Sequence, residues 1–407
     1  MLLFSKYTSP EPASIIATPS DTDFYKYTMK AAVFKWYSDI DVEYAFLCRT
    51  SGVDLTPLIP AIRNQVNLCR YLSHTESDID LLSSVPYFSA SYVRFLENER
   101  WHPSDVTIIE NSKVNGGVEI RVKGSWLHTI DWEIYILRII SVLWNAWLRS
   151  NDNHPDPTTW LDIGLNRLAS KCQVLHDSCP GLKFLDMGTR RAASTEWHYR
   201  CLDFIVKNYP DLLSGTSNVY FSRLLNIPFF GTHAHEWDSA HLAFTHPLDA
   251  KKLAMKRWLE AFDGDAGICL TDTFTTDHFL TVFNKMYANA FTGVRHDSGS
   301  WELWVEKVIS HYESLGIDPR TKSLVFSDGL NADTMIEIWN SFHRNMKIGF
   351  GIGTNLTNDV GIKPLQIVMK MVRCNGHPVL KLSDTPGKVT SEDDLFADYV
   401  TRTLGEN

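Results

Sequence analysis

The chain has 407 residues, of which 44% are hydrophobic and 21% charged, and a net charge of −9 at neutral pH. That is the make-up of a globular protein with enough core for two domains, or for one large domain and an appendage. The negative balance argues against a nucleic acid as the main partner, because such binders carry a basic face, yet it leaves room for a local phosphate pocket.

In chain order, Met1 to Pro19 has no basic stretch followed by a clean apolar run, so no secretion signal is expected. Ser20-Asp21-Thr22 offers N-caps to a helix running through Tyr25, Met29, Ala32 and Trp36. Asp41 to Arg49 alternates as a strand, and Pro57 to Leu72 has helical spacing. Val106–Ile109 and Val118–Val122 flank Asn115-Gly116-Gly117, a hairpin signal. Residues 1–125 therefore read as an α+β domain, with about 376–407 packing against it.

Trp126 to Leu148 is strongly apolar but contains Asp131, Glu133, Arg138 and Asn145, which would be costly in a bilayer. It reads as a core helix, and no membrane partner is expected. The seven cysteines (Cys48, Cys69, Cys172, Cys179, Cys201, Cys269 and Cys374) are odd in number and never spaced C-x-x-C. They read as reduced thiols of a cytoplasmic protein. Asn151 to Thr159 is a polar loop.

Beyond residue 160 the pattern alternates. Apolar runs at Phe184-Leu185, Ile227–Phe230, Ile268–Leu270, Val294, Leu324–Phe326 and Ile348–Ile352 are mostly followed by helical spacing. This implies parallel strands with crossover helices, doubly wound or closed as a barrel, over residues 126–375. Nearly every run ends in polar or glycine-rich residues: Asp186 to Arg191, Gly231-Thr232, Thr271 to Thr273, Arg295 to Gly299, Ser327 to Gly329 and Gly351 to Asn355. In a barrel those ends share one rim, where active sites lie.

Each ending has a chemical use. Gly351-x-Gly353-Thr354 suits a phosphate cradle or a tight turn. Arg190 and Arg295 offer planar forks for carboxylate or phosphate, or ion pairs to a neighbouring aspartate. Asp272, Asp297 and Asp328 suit Mg²⁺, sugar hydroxyls or helix N-caps. The segment Gly231-Thr232-His233-Ala234-His235-Glu236-Trp237 follows an apolar run and opens a helix, so backbone N–H groups and the dipole favour an anion beside the histidines. Two histidines at i, i+2 suit either a metal site or a histidine acting as base or nucleophile.

These segments, with Asp21-Thr22-Asp23-Phe24-Tyr25-Lys26-Tyr27-Thr28-Met29, Gly188 to Arg191, Gly215-Thr216-Ser217-Asn218, Leu270 to Phe274, Gly293 to Gly299 and Phe350 to Asp359, resemble nicotinate phosphoribosyltransferases in order along nearly the whole chain. The resemblance implies an irregular (β/α) barrel of the type II phosphoribosyltransferase kind, with an N-terminal α+β domain. It implies that nicotinate and phosphoribosyl pyrophosphate give nicotinate mononucleotide and pyrophosphate, with Mg²⁺ and with ATP hydrolysed through a phosphohistidine at His235. Glu236 or another carboxylate would fix the tautomer of that ring.

By the same resemblance Tyr25, Ser217, Thr232 and Arg295 contact nicotinate. Arg190, Asp297, Asp328, Gly329, Gly353 and Thr354 line the phosphoribosyl part, and Mg²⁺ would sit near Asp297 or Asp272. Ser217 stands where related nicotinamide enzymes carry aspartate, and a carboxylate there would repel nicotinate. A homodimer sharing active-site residues is implied. The chain departs from its relatives at His233, at His296 and at Gly329. The competing chemistry is a metal-dependent barrel hydrolase using His233 and His235, which would hold stoichiometric zinc or iron.

Overall fold

The computed structural model describes residues 13–151, 157–265, 267–385 and 389–405. Two sheets organise them. The first begins with β1 (Asp41–Cys48), β2 (Val106–Glu110) and β3 (Val118–Ser125), whose alternating burial puts one face of β3 on the core. β2 and β3 pair antiparallel with Glu110 opposite Val118, and their connection uses Gly116 and Gly117 at φ of +85° and +70°. Only glycine adopts that backbone without penalty, which is why the Asn-Gly-Gly signal marks a hairpin.

The second sheet is parallel: β4 (Phe184–Asp186), β5 (Leu213–Thr216), β6 (Ile268–Leu270), β7 (Gly293–His296), β8 (Ser323–Phe326) and β9 (Lys347–Ile352), in the order β5-β4-β9-β8-β7-β6. First strand β4 pairs with last strand β9, as in a closed barrel. The run Ile227–Phe230 contributes one parallel bridge, Thr216 to Phe229, beside β5. No pairing between this segment and β6 is found among the described residues, so the barrel is irregular and split there. Strand β5 went unread in the sequence because Leu-Ser-Gly-Thr has a single apolar side chain.

Crossover helices cover the outside. Thr195–Asn208, Pro247–Ala261, Trp301–Ser314 and Ala332–Phe342 follow the apolar runs as the alternation predicts, and two short helices, Thr276–Val282 and Lys285–Ala290, lie between β6 and β7. The chain then returns. β10 (Ile367–Cys374) pairs antiparallel with β1, and β11 (His377–Pro378) with β10, giving a first sheet ordered β11-β10-β1-β3-β2. Residues 367–374, expected at the end of the barrel part, thus belong to the N-terminal sheet.

The apolar stretch from 126 forms Trp126–Thr129 and then Trp132–Asn151, with Ile134, Tyr135, Ile136, Ile139 and Ile140 fully buried. Its charged residues face partners instead of lipid. Glu133 meets Lys26 at 2.7 Å, and Arg138 meets Asp21 at 3.3 Å. Among the described residues no helix is long and apolar enough to cross a membrane.

Helix α1 (Phe24–Trp36) carries the N-terminal motif to the barrel. The expected capping by Ser20, Asp21 and Thr22 does not occur: the N-cap residue is Asp23, without a side-chain cap bond. Asp21 is spent on Arg138 and on Asn218 Nδ2 at 2.9 Å, so these polar side chains hold the barrel rim instead of the helix end.

Candidate active site

The C-terminal ends of the parallel strands surround a cleft of about 490 Å³. Its lining includes Tyr25 from the start of α1, Arg190 after β4, Ser217 after β5, Thr232 and His235 beyond Phe229, and Arg295 and Asp297 on β7 and just after it. Asp328 and Gly329 after β8 and Gly353 and Thr354 after β9 complete the rim. The sequence-predicted residues therefore converge on one place. Close approach shapes the wall: a Cβ on Gly231 would lie 2.6 Å from the Tyr25 backbone nitrogen, so only glycine lets the loop meet α1 there.

His235 opens the helix His235–Ala240, and its buried ring is held on both sides. Nδ1 lies 3.1 Å from Thr273 Oγ1, Nε2 lies 2.9 Å from Asp297 Oδ2, and Lys381 Nζ lies 2.8 Å from the same Nε2. Lys381 also reaches Asp272 Oδ2 at 2.8 Å. Burial, with the Lys381 ammonium beside it, lowers the His235 pKa to about 4, so the imidazole is neutral at pH 7. Burial pushes Asp297 up, but the His235 hydrogen bond and Arg295 outweigh it and hold the group well below the ordinary carboxylate value.

Glu236 does not act on His235. Its carboxylate accepts from Lys26 Nζ at 2.6 Å, Tyr44 OH at 2.6 Å and Trp126 Nε1 at 2.7 Å. Consecutive helical residues point about 100° apart, so a neighbour in sequence is not a partner in space. The carboxylate on the imidazole is Asp297. His233 likewise turns inward, its ring 4.9 Å from Trp258 and its Nε2 3.9 Å from Asp238, with burial lowering its pKa to about 3. His296 packs on Trp304 and Phe326 in the core.

Among the described residues the group able to hold a metal ion is His235, Asp272 and Asp297, with ligand atoms within 4.8 Å of one another. It excludes His233, so the H-x-H pair does not form the centre that a barrel hydrolase would need. Two carboxylates suit a hard cation such as Mg²⁺, and Asp272 Oδ1 is buried without a hydrogen-bond partner, so the donor set fits that ion.

At the other end of the cleft, Ser217 Oγ donates to Asp23 Oδ1 at 2.6 Å. A carboxylate therefore stands one hydrogen bond from the position whose lack of charge was to favour nicotinate. Burial raises the Asp23 pKa against the lowering effect of Arg190 and Ser217. Arg190 lies 3.6 Å from Glu133. Tyr25 OH and Arg295 Nε are buried without a hydrogen-bond partner.

Sequence reasoning missed Lys26, Glu133, Lys370 and Lys381. Lys370 projects from β10, and burial lowers its pKa to about 8. The available signal was a charge inside an otherwise apolar run, Val368-Met369-Lys370-Met371-Val372, where desolvation must be offset by a partner or a use.

An irregular parallel (β/α) barrel with an N-terminal α+β domain, and with arginines and Gly-Thr turns on its rim, defines a type II phosphoribosyltransferase fold. Profile comparison places residues 182–407 in the nicotinate phosphoribosyltransferase (NAPRTase) family and residues 21–141 in its N-terminal domain, and the chain belongs to that family. It is 41% identical over 391 residues to the nicotinate phosphoribosyltransferase of Cupriavidus necator, covering 95% of this chain and 97% of that protein. The enzyme of the same name from Xanthomonas axonopodis pv. citri is 40% identical over 393 residues, covering 96% of this chain and 98% of that protein. Crystal structures of nicotinate phosphoribosyltransferases from Vibrio cholerae and Porphyromonas gingivalis superpose with TM-scores of 0.90 and 0.89, each at 34% identity. They cover 98% and 95% of this chain, and 95% and 99% of those chains.

Proposed function

We propose that this protein is a nicotinate phosphoribosyltransferase that joins nicotinate to phosphoribosyl pyrophosphate, yielding nicotinate mononucleotide and pyrophosphate for NAD salvage. The carrying observation is that a neutral, doubly hydrogen-bonded His235 and a cation-lined rim open on one cleft. Tyr25 OH and Arg295 Nε, both buried and unpartnered, suit the nicotinate carboxylate, with Thr232 and Ser217 beside them. Arg190, Asp328, Gly329, Gly353 and Thr354 suit the phosphoribosyl group.

The nicotinate ring nitrogen attacks the anomeric carbon as pyrophosphate leaves, with positive charge spreading onto the sugar as in glycoside cleavage. Fixed cations on the rim stabilise the departing pyrophosphate without reorganising. Mg²⁺, when bound, neutralises part of the pyrophosphate charge, and Asp272 and Asp297 would hold it. ATP hydrolysis couples through phosphorylation of His235, for which a neutral imidazole is the competent form. The protein is expected to work as a homodimer in the cytoplasm, with neither nucleic acid nor membrane as partner.

The test is product formation from nicotinate, nicotinamide and quinolinate, each with phosphoribosyl pyrophosphate and Mg²⁺, with and without ATP. Nicotinate should be used at least ~100-fold better than nicotinamide, since a lost charged contact costs a few kcal/mol. Equal use of the two would refute the assignment. Labelled ATP should leave an acid-labile, base-stable phosphoryl group that His235→Ala abolishes and His233→Ala retains.

A further inference from the structure

Two loops of the rim, the one after β4 that carries Arg190 and the one after β5 that carries Ser217, are tied together by groups that are fully buried. Asp186 is the last residue of β4. Its Oδ1 accepts from Gly188 N at 2.9 Å, its Oδ2 accepts from Thr216 Oγ1 at 2.6 Å, and its backbone oxygen accepts from Ser217 N at 2.7 Å. His198 Nε2, on the helix Thr195–Asn208, lies 2.7 Å from the same Oδ2. One residue thus meets both loops and the helix that follows the first of them.

The hydrogen bonds between the loops have a fixed direction. Burial acts to raise the Asp186 pKa, but His198, Thr216 and Gly188 N outweigh it and hold the group below the ordinary carboxylate value. A carboxylate only accepts, whereas a hydroxyl has a single proton to give. Thr216 therefore gives its proton to Asp186, and its lone pair takes Asn218 N at 3.0 Å. The Asn218 side chain in turn donates to Thr189 Oγ1 at 3.3 Å, a second link between the same loops. Shifting one loop against the other would leave buried polar groups unpaired, which is costly in a site without water.

We infer that Asp186 and Thr216 are positioning residues, forming a clamp that fixes the distance between the Arg190 loop and the Ser217 loop, and with it the separation of the two substrates. The inference rests on the phosphoribosyltransferase reading above, which puts the phosphoribosyl group at Arg190 and nicotinate at Ser217. In that reaction the bond from the ring nitrogen to the anomeric carbon forms as the bond from that carbon to a pyrophosphate oxygen breaks, its electron pair leaving on pyrophosphate. Such a displacement needs its reacting atoms about 3–3.5 Å apart at the start, and a misplacement of about 1 Å can cost ~100-fold in rate. Each loop keeps its own ligand groups when the clamp is loosened. The rate of the joined reaction should therefore suffer more than the affinity for either substrate alone.

Thr216→Val removes the hydroxyl and keeps the shape. Its kcat with nicotinate should fall ~10- to 100-fold, while the Kd of phosphoribosyl pyrophosphate and that of nicotinate, each titrated alone, should stay within about twofold of wild type. Thr216→Ser, which keeps both hydrogen bonds, should restore kcat. Thr216→Ala carries the same expectation as the valine variant should that one not fold. Hydrogen exchange gives a second readout that needs no turnover. The Gly188 amide, on the opposite loop from the substitution, should exchange ~10-fold faster in Thr216→Val and at the wild-type rate in Thr216→Ser. Wild-type kcat in Thr216→Val, losses of affinity as large as the loss of kcat, or an unmoved Gly188 amide would each overturn the clamp. Wild type that forms no nicotinate mononucleotide would sink the phosphoribosyltransferase reading instead, while Gly188 exchange still decides the clamp.

Discussion

Glu236→Gln separates chemistry from architecture at the helix start. The side chain is buried, with donors from Lys26, Tyr44 and Trp126 on its two oxygens. Glutamine keeps the shape, and its carbonyl still accepts from Tyr44 and Trp126. Its NH₂ then faces the Lys26 ammonium, so one charge-assisted bond is lost and a donor meets a donor. Removing a partner from a buried ion pair costs about 3–5 kcal/mol. Here Glu133 still holds Lys26 at 2.7 Å, so about 2–3 kcal/mol is the better expectation. With an unfolding entropy of roughly 2.1 cal/mol/K per residue, such a loss lowers the midpoint of thermal unfolding by only ~2–4 °C for a chain of this length. Phosphoryl label per folded molecule, and its nitrogen position, should stay at the wild-type level, because the His235 ring contacts Asp297, Thr273 and Lys381. Undiminished stability with lost labelling would refute the reasoning and return Glu236 to the chemistry.

Ser217→Asp puts a second carboxylate against Asp23, now 2.6 Å from the serine hydroxyl. The pair cannot both ionise cheaply, and the nicotinate-to-nicotinamide ratio of kcat/KM should fall by ~10-fold or more, a ratio that stays constant being the contrary result. Thr354→Val should raise KM for phosphoribosyl pyrophosphate roughly tenfold while nicotinate affinity, titrated without co-substrate, holds; the reverse pattern would mean the Gly-Thr turn serves the other substrate. Burial lowers the pKa of His74, His235 and His241 to about 4 and of His233 to about 3, against an unfolded value of 6.5. Because the folded values are depressed, the unfolded chain binds more protons below pH 6.5. Stability is full above that pH and falls by about 1.36 kcal/mol per pH unit per histidine as pH drops towards the folded values. His241 donates from Nδ1 to Trp237 O at 2.7 Å and meets Tyr37 OH at 3.0 Å, and His241→Gln should shallow the acid limb of stability by one proton.

The rim was legible because its chemistry is local. Strand, Gly or Asp, then helix puts Arg190, Asp297, Asp328 and Thr354 at strand ends whatever the details of packing. The histidine segment was legible as a place but not as an arrangement, since the sequence shows His233, His235 and Glu236 side by side, and the loop and the helix it enters send them to Trp258, Asp297 and Lys26. Long-range supports were the hidden part. Asp186 accepts from Thr216 Oγ1 and Gly188 N and meets His198 Nε2 at 2.7 Å, joining loops 30 residues apart. Each of these groups alone looks like an ordinary polar residue. Lys381 reaches His235 across 146 positions, and no spacing rule sees that distance.

The net charge of −9 and the proposed phosphoribosyl pyrophosphate site are compatible because the field that matters is local. Arg190, Arg191, Arg295, Lys370 and Lys381 all line the cleft, each of them half-buried, so solvent screens them less than on an open surface. The same burial penalises their charges: Arg191 is lowered to about 10, by burial and then by Arg190, and Lys370 to about 8. Glu133 answers part of that cost. Burial acts to raise its pKa, but Lys26 and Arg190 outweigh it and hold the pKa near about 2, so its negative charge is fixed between α1 and the rim. Lys26 then ties Glu133 to Glu236, at the start of the helix that carries His235. A run of charges from half-buried Arg190 through buried Glu133, Lys26 and Glu236 thus connects the Arg190 side of the cleft to the histidine side. Asp23, Asp297 and Asp328 line the same cleft, so an anion is favoured by where individual cations stand and not by a net positive lining.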